Sequence, residues 1–368
     1  MTESRANART DSAAAEGGAA DWQRLLAESL VSADHLARHL PVDADAVRRV
    51  IRRYPMRINP YFLSVLRSGG APLWRQAVPD AAELSADAGL APDPLDEVPQ
   101  SPVPHLIHRY PDRVVFMISS QCAMYCRHCM RKREVGQRRR VSDESIAQGL
   151  AYIRRTPAVE EVILSGGDPL LLADEQLESI LEQLQKMPHV SLIRVHSRAP
   201  CTLPARITPD LVRLLAARQP LYLNVQFNHP AELTPQASAA CARLSDAGIC
   251  LGSQSVLLKG VNDDPQVMAD LMKALLKNRI RPYYLHHADP VAGTRHFRTS
   301  IEKGLAIMRY VRGRISGMGV PQYMIDLAGG GGKVPLLPEY IRSVEKDRIR
   351  VANYKGEVFD YPVEFKDA

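Results

Sequence analysis

Residues 114–136 read VVFMISSQCAMYCRHCMRKREVG: an apolar run from Val114 to Ile118 opens into a loop carrying three cysteines, and an amphipathic stretch, SDESIAQGLAYIRR (142–155), follows. A short apolar run succeeded by 3.6-residue periodicity is the pattern of a strand and the helix that crosses back over it. The alternation recurs five times. VEEVILS (159–165) precedes DEQLESILEQLQK (174–186), SLIRVHS (191–197) precedes TPDLVRLLAAR (208–218), and LYLNVQF (221–227) precedes TPQASAACARLSDAG (234–248). CLGSQSVL (250–257) precedes DPQVMADLMKALLKN (264–278), and RPYYLHHA (281–288) precedes SIEKGLAIMRYVRG (300–313). Six β/α units in a row predict an α/β fold with a parallel sheet, whose functional loops gather at the C-terminal ends of the strands. Helix starts are marked by Thr208-Pro209, Thr234-Pro235 and a capping box from Thr299 to Glu302, and Gly248 stands where a helix C-cap belongs.

Outside this block, residues 22 to about 70 carry helical apolar spacing (Trp22, Leu25, Leu26, Leu30, then Val47, Val50 and Ile51), and a Pro-rich, acidic connector runs to about residue 104. The first twenty residues contain no apolar segment of a signal sequence, and no later stretch approaches eighteen unbroken apolar residues. A cytoplasmic protein with no membrane span is the expectation. With 368 residues, 45% hydrophobic and 24% charged, the chain is long enough for a large α/β domain plus an extension. Its six cysteines are too few for a disulfide scaffold, and three fall within eight residues, which reads as metal chemistry. The net charge of +6 and the bunch Arg131, Lys132, Arg133, Arg138, Arg139 and Arg140 raise polyanion binding. Without interleaved aromatics, cofactor anions and a solvated face explain that charge better, and no nucleic-acid partner is expected.

The C-x3-C-x2-C spacing of Cys122, Cys126 and Cys129 suits three irons of a 4Fe-4S cubane, with the fourth iron left open to a ligand. Zinc held by the three cysteines and His128 is the rival, though the second short-spaced ligand pair typical of structural zinc is missing. After the second strand, Ser165-Gly166-Gly167-Asp168-Pro169 lets the backbone approach a ligand, and Asp168 offers a carboxylate to an ammonium. Asp326-Leu-Ala-Gly-Gly-Gly-Gly-Lys333 fails the phosphate-loop pattern because Val334 stands where Ser or Thr is needed. A lysine on a pliable loop at a barrel mouth instead suits Schiff-base chemistry with an aldehyde cofactor such as pyridoxal 5′-phosphate. Arg109, Tyr110 and Arg113 in HRYPDR, just before the first strand, offer a phosphate grip and a ring for that cofactor.

Together these residues resemble the lysine 2,3-aminomutase family of radical S-adenosylmethionine (radical SAM) enzymes. The similarity runs from about Asn59 to about Tyr361, through INPYFLSV, DPLDEVPQSPVPHLIHRYPDR, CAMYCRHCMRK, ILSGGDPLL, LPARITP, FNHP, QSVLLKGVND, RPYYL and GGGGK. The resemblance implies a partial (β/α)6 TIM-like radical SAM barrel with an N-terminal helical extension. It divides the chain into a disordered N-terminus (1–20), a helical extension and linker (21–104), the barrel with a pyridoxal phosphate site (105–335) and a C-terminal extension (336–368). It makes Cys122, Cys126 and Cys129 the cluster ligands and Lys333 the cofactor lysine. Gly166, Gly167, Asp168 and Gln254 fall near S-adenosylmethionine, and Arg109, Tyr110 and Arg113 near pyridoxal phosphate. Arg131 matches the residue that grips the substrate carboxylate, and Asp289 and Asp326 match the pair that binds the distal ammonium of lysine. A relative acting on glutamate would be expected to lose those carboxylates.

The expected activity is therefore that of an isomerase moving the 2-amino group of L-lysine to carbon 3, with arginine or ornithine as alternative substrates. A reduced flavodoxin or ferredoxin would supply the electron, and a homo-oligomer is expected. Departures from the family pattern are Gln226 in place of a His, Met130 in place of a Thr after Cys129, Lys132 in place of an Arg, and the HHAD stretch before the aspartate. The C-terminal cysteine group that binds zinc in clostridial-type enzymes is also missing, so no structural zinc is expected. A zinc-stabilised nucleic-acid binding module using residues 131–140 is the rival from another class.

Overall fold

The computed structural model describes residues 19–85, 89–136 and 141–362; the expected disordered N-terminus, apart from its last two residues, and Arg138, Arg139 and Arg140 lie outside them. Helices α1 (Ala19–Ala27), α2 (Ala33–Ala37), α3 (Ala44–Arg53) and α4 (Pro60–Ala77) come first. The nine-stranded sheet that follows runs in sequence order: β1 (Leu106–Tyr110), β2 (Arg113–Ser119), β3 (Glu161–Gly166), β4 (Leu192–Ser197), β5 (Leu221–Val225), β6 (Cys250–Leu257), β7 (Arg281–His287), β8 (Gln322–Leu327) and β9 (Gly332–Pro335). Strands β2 to β8 are parallel to one another, and β1 and β9 flank them antiparallel. The crossovers carry α5 (Asp143–Arg154), α6 (Asp174–Gln185), α7 (Ala199–Thr202), α8 (Pro209–Ala216), α9 (Pro235–Asp246), α10 (Pro265–Lys277) and α11 (Ile301–Val311). No pairing joins β1 to β9 among the described residues, so the barrel is partial, as expected. Three short antiparallel strands, β10 (Ile341–Val344), β11 (Arg348–Ala352) and β12 (Val358–Pro362), form a separate sheet.

All six strand and helix pairs of the sequence reading are present. The flanking strands escaped it, because four- and five-residue edge strands carry too little periodicity to register. HRYPDR is thus the turn of a β1–β2 hairpin and not a leader to the first strand. Thr208 and Thr234 cap α8 and α9 by accepting from Leu211 and Ala237 N–H, and Gly248 has φ +81° beyond α9. The cap of α11 falls one residue later than expected, where the Ser300 side chain accepts from Lys303 N–H. Thr and Ser are both good N-caps, so spacing alone cannot separate Thr299 from Ser300.

Period-two alternation divides each strand between two environments. Val162 and Leu164 of β3, Ile193 and Val195 of β4, and Leu285 of β7 pack into the apolar layer beneath the helices. Their neighbours Glu161, Ile163, Ser165, Arg194, His196, Tyr284 and His286 face the barrel interior instead. In β3, β4 and β7 most of the polar side chains therefore face the cavity.

The N-terminal helices anchor the loop after β2. Asn59 caps α4 with its carbonyl oxygen and donates to Ala123 O (3.0 Å) and Thr202 O (2.8 Å). Glu83, in a 3-10 turn at Ala81–Leu84, is 1% exposed, and its carboxylate takes Arg127 in a fork (2.9 and 2.5 Å) and Lys132 Nζ at 2.6 Å. Arg127 also donates to Pro55 O and Tyr54 O, and Lys132 to Arg127 O and Gly293 O. Burial alone would raise the Glu83 pKa, but the two cations outweigh it and hold the acid below its ordinary range. Glu83→Ala leaves two buried cations uncompensated and is expected to destabilise the protein by about 3–5 kcal/mol, read by denaturant unfolding. The Glu83 contribution is present above the ordinary glutamate pKa and fades as pH falls through its lowered folded value, so the deficit of the variant narrows in acid.

Candidate active site

One cavity of about 590 Å³ runs from the cysteine loop, at the C-terminal ends of the strands, down the barrel to Arg113 and Glu161, the first residues of β2 and β3. Every residue singled out from the sequence lines it: Cys122, Cys126, Cys129, Arg131, Gly166, Gly167, Asp168, Gln254, Arg109, Tyr110, Arg113, Asp289, Asp326 and Lys333. Of the departures noted above, Gln226, Met130 and the HHAD stretch line it too, and Lys132 does not.

Backbone bonds join the glycine turn to the cysteine loop. Gly167 N–H donates to Ser119 O (2.6 Å) and Asp168 N–H to Gln121 O (2.7 Å). A Cβ on Gly166, whose φ is +125°, would lie 2.2 Å from Ser119 O, and one on Gly167 would lie 2.4 Å from Gln121 O. Only glycine fits at that approach. Asp168 differs from its sequence reading: its carboxylate already accepts from Ser197 Oγ (2.7 Å), Arg198 N–H (2.8 Å) and Leu170 N–H (3.1 Å). It fixes the turn to β4 with both oxygens engaged, and it still lines the cavity beside the Gly166-Gly167 backbone.

The cysteines are free thiols. Burial, then the charges of Asp168 and the other cysteines, pushes Cys122 up, and burial with Cys126 pushes Cys129 up to about 11. Cys122 and Cys129 therefore favour the thiol form, which a strongly cationic centre would reverse, and three soft donors suit an iron–sulfur cluster. Among the described residues no three His, Cys, Asp or Glu side chains close on a point that would hold a single metal ion. His128, the fourth ligand of the zinc alternative, instead meets Asn228 Nδ2 (3.3 Å) and sets its ring edge-on to Phe297.

At the other end Lys333 sits in β9 directly opposite Asp326 in β8, and its Nζ donates to the Asp326 carboxylate. The glycine run is therefore not a pliable loop. It is a tight hairpin turn in which Gly329, Gly330 and Gly332 take positive φ, and the lysine follows on an ordered strand. Tyr110 OH accepts from Lys333 N–H (2.8 Å), bridging β1 to β9 across the open seam. Arg109 Nη1 faces Asp326 Oδ1 at 3.6 Å, while its other donors meet Gln100 (2.7 Å) and Leu95 O (3.0 Å). Asp326 Oδ1 is buried without a hydrogen bond. The Arg113 guanidinium lies 3.9 Å from the Tyr110 ring centre and pairs with Asp112. An amine with a carboxylate at its side, two arginines and a phenol make a set that fits pyridoxal phosphate. His286 is held neutral, with burial and the Lys333 charge lowering its pKa to about 3.

Asp289, just past β7, has no hydrogen bond or ion pair to its carboxylate among the described residues. Burial, then the Asp326 charge, pushes it up to about 7 against the pull of Lys333. Arg131 is gripped by Glu97 through Nε (3.1 Å) and Nη2 (2.7 Å), which leaves Nη1 for a ligand. Arg133 joins the same carboxylate at 3.1 Å. Sequence reasoning missed Glu83, Glu97, Arg198 and Glu232, all buried. Nothing in spacing tells a buried charged side chain from an exposed one.

The profile of the radical SAM superfamily matches residues 116–272, and that of lysine-2,3-aminomutase matches residues 308–367. An L-lysine 2,3-aminomutase of Clostridium subterminale is 43% identical over 93% of this chain and 83% of its own length. One of Fusobacterium nucleatum is 43% identical over 93% and 82%. A glutamate 2,3-aminomutase of Clostridioides difficile is 38% identical over 92% and 81%. With that identity extending over nearly the whole chain, and the cysteine loop and Lys333 opening onto one cavity, the chain belongs to the lysine 2,3-aminomutase family of radical SAM enzymes.

Proposed function

We propose that this isomerase moves the 2-amino group of L-lysine to carbon 3, giving β-lysine, with a 4Fe-4S cluster, S-adenosylmethionine and pyridoxal phosphate as cofactors. The observation that carries the reading is that Asp289 and Asp326 face the same cavity as Lys333, so a corner of two carboxyl groups lies beside the cofactor lysine. Such a corner attracts a distal ammonium and repels the side chain of glutamate. When bound, the cofactors supply a 5′-deoxyadenosyl radical that exchanges one hydrogen with the substrate and an aldehyde that carries the migrating nitrogen.

The protein's part is to hold and to orient. Cys122, Cys126 and Cys129 would ligate the cluster, and the Gly166-Gly167 backbone and Gln254 would seat S-adenosylmethionine beside it. The Asp326 carboxylate holds the Lys333 Nζ at the cavity, where an aldehyde would meet it. Arg109, Tyr110 and Arg113 would grip the phosphate end. The free Nη1 of Arg131 would take the substrate carboxylate, its plane fixed by Glu97. Anchoring both ends of the substrate restricts it to one reacting geometry.

A low-potential one-electron donor, such as reduced flavodoxin or ferredoxin, is the partner this chemistry needs, and a homo-oligomer is the assembly we infer. No helix among the described residues is long and apolar enough to cross a membrane. Six free thiols support a cytoplasmic setting.

Anaerobic protein loaded with iron and sulfide, then given S-adenosylmethionine, dithionite, pyridoxal phosphate and one amino acid at a time, is expected to form β-lysine from L-lysine, read by mass spectrometry. Preferred turnover of arginine, ornithine or glutamate overturns the lysine assignment. Asp289→Asn is expected to lose about 2–5 kcal/mol in kcat/KM for lysine. Because the wild-type acid is charged only above about 7 and the ammonium needs that charge, kcat/KM should fall by about tenfold per pH unit below that point. The Asn variant should lack this limb of the profile.

A further inference from the structure

We propose that Arg198 tunes the reduction potential of the cysteine-held cluster, because its guanidinium, pinned from behind by Glu232 and Gln76, donates an N–H···S hydrogen bond to Cys126. The proposal rests on the cluster reading of the three cysteines.

Arg198 follows β4 and is 7% exposed. Its Nη1 lies 2.8 Å from Cys126 Sγ, and its Nη2 donates to Glu232 Oε1 (2.6 Å) and Gln76 Oε1 (2.7 Å). The far side of the fork has no freedom. Glu232, itself 1% exposed, uses its second oxygen to accept Asn228 N–H (2.6 Å) and His229 N–H (3.2 Å), and Gln76 Oε1 also takes Asn228 Nδ2 (3.0 Å). The Arg198 backbone N–H holds Asp168, so one residue ties the glycine turn to the middle cysteine. Arg198 is therefore a positioning residue whose guanidinium is aimed at a sulfur by partners that leave it no other rotamer.

An ionised donor on a ligating sulfur withdraws electron density from it. The reduced cluster carries one more negative charge than the oxidised one, so a hydrogen bond to the ligand favours the reduced form and raises the potential. In the step concerned, one electron passes from an external donor to the cluster, taking [4Fe-4S]2+ to [4Fe-4S]+, with no bond made or broken. Glu232 offsets the Arg198 charge at longer range, and the hydrogen bond acts at contact distance, so the effect survives that pairing.

The test is a potentiometric titration of the reconstituted holoenzyme, with dithionite as reductant and the reduced cluster read by electron paramagnetic resonance. Arg198→Met with Glu232→Gln removes both buried charges together, and Arg198→Lys keeps the charge but loses the fork. At equal iron and sulfide per chain, the reduced-to-oxidised ratio at a fixed potential should fall about tenfold in the double variant, a 59 mV drop for one electron, and by less in Arg198→Lys. A ratio within about twofold of wild type in either loaded variant overturns the role of Arg198. Should the double variant bind no cluster, Arg198→Lys decides: a lowered ratio supports the proposal. Wild-type protein that takes up no cluster at all overturns the proposed function, and this inference with it.

Discussion

The Glu83 carboxylate is the constraint on which the rest depends. The loop that presents Cys122, Cys126 and Cys129 also carries Arg127 and Lys132 inward, and a buried cation is tolerated only beside a buried anion. That anion comes from outside the barrel, from the turn that follows α4. The N-terminal helices thus brace the cysteine loop from behind without lining the cavity, and the loop has a defined shape because its charges are answered in fixed directions. Glu97 repeats the arrangement at Arg131 and Arg133, and Glu232 repeats it at Arg198.

The barrel was legible because each parallel strand and its crossover helix announce themselves by period, and the motifs because glycine, cysteine and lysine have few alternative uses at those spacings. Lys333 stood out in the sequence while its setting did not. Four glycines in a row look flexible, whereas Gly332 fits under Tyr110 only as glycine and the hairpin register faces Lys333 to Asp326. Buried glutamates were invisible for a different reason. Their identity as partners depends on where distant segments dock, as Glu83 meeting Arg127 across more than forty positions makes plain.

Charge is also divided along the cavity. Arg131 with its free Nη1 occupies the wall near the cysteine loop, and Asp289 and Asp326 lie by Lys333. Gln226 and neutral His286 add polarity to the lining without charge. An amino acid with a carboxylate at one end and a cation at the other has one favourable orientation in that field.

The β8–β9 hairpin carries a consequence for how the family can drift. Side chains alternate faces along a strand, so Lys333 points inward because the register sets it directly opposite Asp326. A slip of β9 by one residue against β8 would turn the amine to the outer surface and break the Lys333 contacts with Asp326 and Tyr110 together. Drift in the glycine run is therefore confined to changes that the turn absorbs without moving that register.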